Sequence, residues 1–314
     1  MTRAFIFPGQ GSQAVGMGNT LAEAFAPARE VFQEVDDALS QKLSKLMWEG
    51  PESDLTLTEN AQPAIMAASM AIVRVLQNLG GLDFAKHARL VAGHSLGEYT
   101  ALCAVGSFTL ADAARLLKKR GQAMQTAVPV GEGGMSALLG IEVTDAEAAC
   151  IEAAAQGGIC VVANDNAPGQ AVISGNKATV DRAGVMSKEK GAKRALPLNV
   201  SAPFHSPLMQ AAADAMREAL AGVIIRPPAA PLVANVTAAE TAEPETIRRF
   251  LVEQVTGRVR WRESVIAFRG LGVDTTVELG GNKVLTGMVK RIDKELQTMT
   301  LDTPADIEAF AKTL

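Results

Sequence analysis

Hydrophobic and polar positions alternate along this chain with two periods, and the alternation lays out its elements. Residues 4–7 (Ala-Phe-Ile-Phe) form a short continuous apolar run of strand length. The turn-rich Pro8-Gly9-Gln10-Gly11-Ser12-Gln13 closes that run, and a helix is expected by about Leu21. Residues 55–59 read as a loop, 61–76 as an apolar helix, 88–92 as a strand and 98–105 as an Ala/Leu-rich helix. Residues 110–127 carry helical periodicity: Ala113, Leu116, Leu117 and Met124 make one apolar stripe, while Arg115, Lys118, Lys119 and Gln122 lie elsewhere. Arg120 falls inside the stripe, four residues after Leu116 and four before Met124. An arginine on a buried face needs an anionic partner or a route to water. A structural salt bridge would meet that need, and so would a carboxylate-binding role, because a guanidinium fork suits bidentate carboxylate recognition.

Between residues 131 and 198 the pattern changes. Strands are expected at 135–140, 159–163, 170–174 and 193–198, with helices at 145–156 and 177–189, which is the β-α-β-β-α-β order of ferredoxin-like folds. Gly131, Gly133 and Gly134 bound the segment, so it reads as a small inserted subdomain. Beyond it, Ser206 as N-cap and Pro207 at the first helical position would start a helix to about residue 221. A stiff linker at 227–231 leads to a strand at 232–235 and helices at 245–255 and 261–271. A strand at 275–279, the loop Gly280-Gly281-Asn282 and a helix at 284–293 follow. Strands alternating with helices predict a parallel sheet in an α/β domain.

Composition narrows the class. The 314 residues are 48% hydrophobic and 20% charged, enough for a large core in an ordinary globular protein. A net charge of −4, with no basic block interleaved with aromatics, argues against a nucleic-acid partner. The N-terminus shows no secretory pattern, and the apolar run at 64–73, broken by Arg74, is too short to span a bilayer. Cys103, Cys150 and Cys160 have no C-x-x-C spacing and read as reduced, buried thiols of a cytoplasmic protein. No metal-ligand cluster stands out.

Candidate chemistry centres on Gly93-His94-Ser95-Leu96-Gly97. With a strand before it and a helix after it, this G-x-S-x-G run is the spelling of a nucleophile elbow, in which serine occupies a strained apex and points outward. The large domain is therefore expected to be α/β-hydrolase-like, built from residues 1–130 and 199–314 around the ferredoxin-like subdomain at 131–198. Serine needs a base. Of three histidines, His94 should point away from the apex and His87 should lie at the far end of the strand, which leaves His205 on a loop at a helix entrance. Asp165 could complete a triad, or a backbone carbonyl could orient the imidazole in a Ser-His dyad. The first glycine loop stays open between a dinucleotide fingerprint, Gly9-x-Gly11-x-x-Ala14, and backbone N–H donors for an oxyanion.

Six ordered motifs carry a resemblance across nearly the whole chain: residues 7–13, Gly93 through Tyr99, Arg120-Gly121, Asn164 through Gln170, Ala202-Pro203-Phe204-His205 and Lys283 through Gly287. Together they resemble the bacterial malonyl-CoA:acyl-carrier-protein transacylases. The resemblance implies a ping-pong acyl transfer with Ser95 as nucleophile, His205 as base, and the backbone N–H groups of Gln10 and Leu96 as oxyanion hole. It further implies that Arg120 grips the malonyl carboxylate, that the main-chain carbonyl of Gln254 supports the histidine, that Asn164 and Asn166 border the substrate groove, and that Phe204 goes with malonyl selectivity. No tightly bound cofactor is implied: malonyl-CoA is substrate, CoA is product, and an acyl carrier protein is the partner, with no membrane or nucleic acid and a monomer expected. An acidic carrier would dock near Lys188, Lys190, Lys193 and Arg194. Gly280-Gly281-Asn282 departs from the family's usual Gly-Pro-Gly, so a locally different loop is expected there. A serine esterase or thioesterase, a trans-acting polyketide acyltransferase and a dinucleotide-binding scaffold are the alternatives.

Overall fold

The computed structural model describes residues 1–200 and 202–314. Its strands are β1 (Arg3–Phe7), β2 (Leu90–Gly93), β3 (Gly133–Leu139), β4 (Cys160–Ala167), β5 (Gln170–Asn176), β6 (Arg194–Pro197), β7 (Leu232–Val233), β8 (Glu240–Thr241), β9 (Thr275–Leu279) and β10 (Gln297–Leu301). They form a sheet in the order β10-β9-β1-β2-β7-β8 and a second in the order β4-β5-β3-β6.

The first sheet is parallel from β10 to β7, with β8 antiparallel at its edge. It is mixed, where the alternation of elements predicts parallel strands throughout. The reason is local. Only residues 234–239 join β7 to β8, too short a link for a crossover, so the chain returns as a hairpin. β1 explains the unbroken apolar run at its centre. Phe5 and Phe7 pack into a core on one face, and Ala4 and Ile6 into a second core on the other, all fully buried.

The helix Thr58–Gly80 packs among the helices Ala26–Leu39, Leu110–Thr126 and Pro304–Ala311. It is longer than the apolar run in the sequence suggests, and by length and composition it could cross a bilayer. Most of its apolar window is buried inside the protein. Residues 55–59, expected as a loop, fall in the helix Glu52–Thr56 and the first turn of Thr58–Gly80, with only Leu57 between them. Glu59 lies in that first turn, where the helix dipole favours a carboxylate. Pro207 opens a 3-10 turn, Pro207–Met209, and the α-helix proper is Gln210–Ala221. Ser206 does not cap it; its hydroxyl donates to the Pro203 carbonyl at 2.7 Å.

The second sheet is antiparallel throughout. Its strands share one core with the helices Val143–Ala155 and Lys177–Glu189 through Leu138, Val162, Ile173, Cys150 and Val180. β4 ties it to the rest of the chain. Its edge bridges Val259, with Asp165 N–H donating to the Val259 carbonyl and Val259 N–H to the Ala163 carbonyl. Breaks in register along β4 at Ala163 and Asn166 mark the stretch where that strand faces the site.

Candidate active site

β2 runs into the helix Gly97–Ala104 through a turn whose apex is Ser95, at φ 54°. A non-glycine residue in the left-handed region is strained and persists only where its surroundings hold it. The two glycines of the motif are required by space, since neither has positive φ. A Cβ on Gly93 would sit 1.9 Å from the Gly97 carbonyl carbon, and one on Gly97 would sit 2.2 Å from the Phe7 carbonyl oxygen. The first loop lies equally close, because a Cβ on Gly9 would meet the His94 carbonyl at 2.7 Å. Gln10 is thereby seated beside the elbow. Among the described residues, the backbone N–H groups of Gln10 and Leu96 have no acceptor, and both residues line one cavity with Ser95.

His205 also has positive φ, 55°, and is buried. Its Nε2 lies 2.8 Å from Ser95 Oγ. Its Nδ1 faces two carbonyl oxygens, Gln254 at 2.8 Å and Gly257 at 3.1 Å. Carbonyls only accept, so Nδ1 carries the proton and Nε2 presents its lone pair to the serine hydroxyl. Burial, and then the positive charge of Arg120, push the imidazole down to about 3, so it stays neutral at physiological pH. Asp165 has no part in this. Its carboxylate pairs with Arg262 at 2.9 Å, and the imidazole is oriented by backbone.

Arg120 is the least expected group. The helix Leu110–Thr126 approaches Thr58–Gly80 so closely that a Cβ on Gly121 would lie 2.4 Å from the Glu59 Cα. That contact brings Arg120, 1% exposed, to three neutral acceptors. They are Gln62 Oε1 at 2.8 Å, Gln254 Oε1 at 2.9 Å and Ser95 Oγ at 3.1 Å. Its Nε has no partner, and no carboxylate of the described residues forms a salt bridge with it. The salt-bridge reading from the stripe therefore fails. A buried guanidinium without a salt-bridged carboxylate is costly, on the order of several kcal/mol. The buried Glu98 carboxyl acts on it through its field alone, and the guanidinium faces the cavity beside the nucleophile.

The cavity holds about 350 Å³. Asn164, Asn166 and Phe204 line it together with Ser95, His205 and Arg120, and Met124, Met135 and Val172 supply apolar wall. His94, expected to point away, also lines it, with Nε2 2.8 Å from Asn166 Oδ1 and its ring 5.8 Å from that of Trp261. Gly9 leaves room for both the His94 carbonyl and the imidazole Nδ1, which would lie 2.7 and 3.0 Å from a Cβ there, while Nε2 reaches Asn166 on β4. His87 is remote in role: its Nδ1 accepts from the Asp83 N–H at 3.0 Å. The three cysteines are buried, and burial raises Cys103 to about 12, far from a reactive thiolate.

Three residues of the site are not among those the sequence points to. Gln62 accepts from Arg120 and donates to Thr58 Oγ1 at 2.9 Å, and Thr58 Oγ1 donates to Gln10 Oε1 at 2.9 Å. Asn235 accepts from the Ser95 N–H at 2.8 Å. A signal exists for two of them: Gln62 is a polar residue in an apolar helix, and Asn235 follows the C-terminal end of a parallel strand, where sites gather.

Known proteins decide what this arrangement belongs to. A model of the acyl transferase domain matches residues 4–303. The chain belongs to the acyl transferase family. Within that family, the malonyl CoA-acyl carrier protein transacylase of Bacillus subtilis is 43% identical over 312 residues, covering 99% of this chain and 96% of the relative. An acyl-carrier-protein S-malonyltransferase from Bartonella henselae has a crystal structure that superposes with a TM-score of 0.97 at 54% identity, covering 100% of this chain and 99% of that one. A malonyl-transacylase solved in complex with a type II PKS acyl-carrier protein superposes with a TM-score of 0.96 at 42% identity, covering 100% of both chains. This family member is an acyltransferase, with an α/β fold that joins a mixed, largely parallel sheet to an antiparallel one.

Proposed function

We propose that this acyltransferase carries malonyl from malonyl-CoA to the phosphopantetheine thiol of an acyl carrier protein, supplying fatty-acid synthesis, by a ping-pong route through malonyl-Ser95. One observation carries the diacid specificity: a buried guanidinium with no carboxylate partner, 3.1 Å from the Ser95 hydroxyl. The names of the relatives support the same substrate and partner.

Ser95 Oγ gives its proton to His205 Nε2 and attacks the thioester carbonyl. The oxyanion that forms meets the free N–H groups of Leu96 and Gln10, and losing one such donor typically costs about 3 kcal/mol. Collapse breaks the C–S bond, and the departing CoA sulfur takes the proton from His205. In the second half the carrier thiol gives its proton to the same nitrogen, attacks the malonyl-serine ester and returns Ser95 to its hydroxyl form. Throughout, Arg120 holds the free carboxylate, which also withdraws part of the positive field that lowers His205. Gln254 serves the base through its main-chain carbonyl and Arg120 through its side chain. Asn164, Asn166 and Phe204 shape the groove.

We read the large part, residues 1–130 and 199–314, as α/β-hydrolase-like, from the serine at the sharp turn after a parallel strand. The small part, 131–198, we read as ferredoxin-like. Numbered in chain order, its strands lie 2-3-1-4, with both helices on one core.

The transfer reading is tested against the hydrolytic one by offering malonyl-CoA with and without holo carrier protein. Malonyl-carrier should form much faster than free malonate; equal rates would make the protein a thioesterase. The depressed imidazole sets a second expectation. The base is the neutral form, so a lowered pKa keeps the enzyme active further into acid. The acid limb of kcat/KM, which reports the free enzyme, should lie well below pH 6.5 and toward the lowered value of about 3. A limb at the ordinary histidine value would contradict the burial argument. Lys188, Lys190, Lys193 and Arg194 are exposed, the last on the edge strand β6, while Lys190 is engaged by Glu152 at 2.9 Å. Reversing the four charges should raise the KM for carrier protein about tenfold or more and leave that for malonyl-CoA unchanged. An unchanged carrier KM would remove this face as the dock.

A further inference from the structure

Two buried polar residues behind the nucleophile, Asn235 and Glu98, take no part in the proposed chemistry. Asn235 is 1% exposed and Glu98 is fully buried. Every polar group of Asn235 is engaged at the elbow or in what supports it. Oδ1 accepts from the Ser95 N–H at 2.8 Å and from Gln254 Nε2 at 3.3 Å, and Nδ2 donates to the Gly93 carbonyl at 2.7 Å. Its own N–H donates to Glu98 Oε2 at 2.8 Å, and its carbonyl accepts from the Arg260 N–H at 3.0 Å. The side-chain amide therefore bridges the residues on either side of His94, up to the N–H of Ser95, where the backbone turns left-handed. The Ser95 carbonyl is held as well, by Gln254 Nε2 at 3.0 Å and the Glu98 N–H at 3.0 Å.

A strained apex relaxes unless its neighbours fix it. Here both backbone groups of the apex are fixed, and they are fixed by two side-chain amides that touch each other. The bond from the Ser95 N–H to Asn235 has a further effect. It removes that N–H from service to a substrate oxygen and leaves the developing charge to Leu96 and Gln10, whose N–H groups have no acceptor among the described residues.

We infer that Asn235 is a positioning residue: it staples the elbow so that Ser95 Oγ and the Leu96 N–H address the same carbonyl, and the Glu98 carboxylate holds the Asn235 backbone in place for that task. The inference rests on Ser95 being the nucleophile, and it makes no use of which acyl group is carried.

The test needs no variant. A fluorophosphonate probe forms a tetrahedral phosphonate on Ser95, with fluoride as leaving group, and its P–O oxygen occupies the oxyanion position. In amide-resolved NMR of the wild-type protein before and after labelling, the Leu96 and Gln10 amide protons should move downfield while that of Ser95, still bonded to Asn235, stays nearly where it was. A downfield move led by Ser95 would overturn the inference. Failure of the probe to label Ser95 would instead overturn the nucleophile reading on which it rests. A variant series adds kinetics. Asn235→Ala should slow both phosphonylation and the malonyl-CoA burst about 100-fold with KM for malonyl-CoA and the malonyl-to-acetyl ratio within about twofold of wild type. Asn235→Asp, which keeps an acceptor for the Ser95 N–H, should lose less. A folded Asn235→Ala that bursts at the wild-type rate, or that loses KM in proportion, would reduce Asn235 to a structural residue.

Discussion

Ser95→Ala should abolish the malonyl adduct and lower carrier loading by on the order of 10⁴-fold or more, because nucleophile and base act as one unit and loss of either removes most of what both supply. Among the described residues the geometry leaves no substitute. Ser95 Oγ is the hydroxyl at 2.8 Å from His205 Nε2, and the remaining imidazole in the cavity, His94, is bonded to Asn166. Stability should change little or rise slightly, since alanine removes a hydroxyl whose partners, His205 and Arg120, keep their bonds to Gln254 and Gln62. Steady-state loading followed by mass, beside a thermal melt, separates the two effects. Loading that survives within about tenfold would move the nucleophile elsewhere.

Arg120→Ala should depress malonyl transfer by about 100-fold and acetyl transfer by under about tenfold. Truncating one member of a buried charge-paired contact costs about 2–5 kcal/mol, and only the diacid makes that contact. Some loss with acetyl is expected, because Arg120 also donates to Gln254, whose carbonyl orients His205. The ratio of the two losses is therefore the reading that matters. The same variant should move the acid limb upward, since the Arg120 charge is the second cause of the lowered imidazole and burial, the first, remains. Equal losses with both acyl groups would make Arg120 a structural residue.

Much of this site can be read from sequence because its signals are local. The G-x-S-x-G spelling states a steric requirement that the close contacts of Gly93 and Gly97 express directly. Arg120 announced itself as a charge on an apolar stripe; what periodicity could not supply was its partner, because that depends on which helix packs across Gly121. His205 follows by elimination, but its orienter is a carbonyl from a distant helix, which has no side-chain identity to read, so Gln254 comes from the resemblance alone. Asn235 has only its place after a parallel strand to mark it, because its role lies in two backbone groups of the elbow. In the fold, β10 and the helix Pro304–Ala311 lie beyond what the pattern predicts. The polar Gln297, Thr298 and Thr300 interrupt the apolar pattern of β10, although Thr303 and Asp306 spell a capping box that marks the helix start. The hairpin to β8 is not legible in the sequence, because a two-residue strand leaves no period to detect.

The central claim is that Ser95 takes up malonyl and holds it until a thiol arrives. Wild-type protein mixed with excess malonyl-CoA and no carrier should release a burst of one CoA per chain. Peptide mass mapping should then place one malonyl group on Ser95, and holo carrier protein should discharge it. Turnover without a burst, or an adduct on any other residue, would contradict the account.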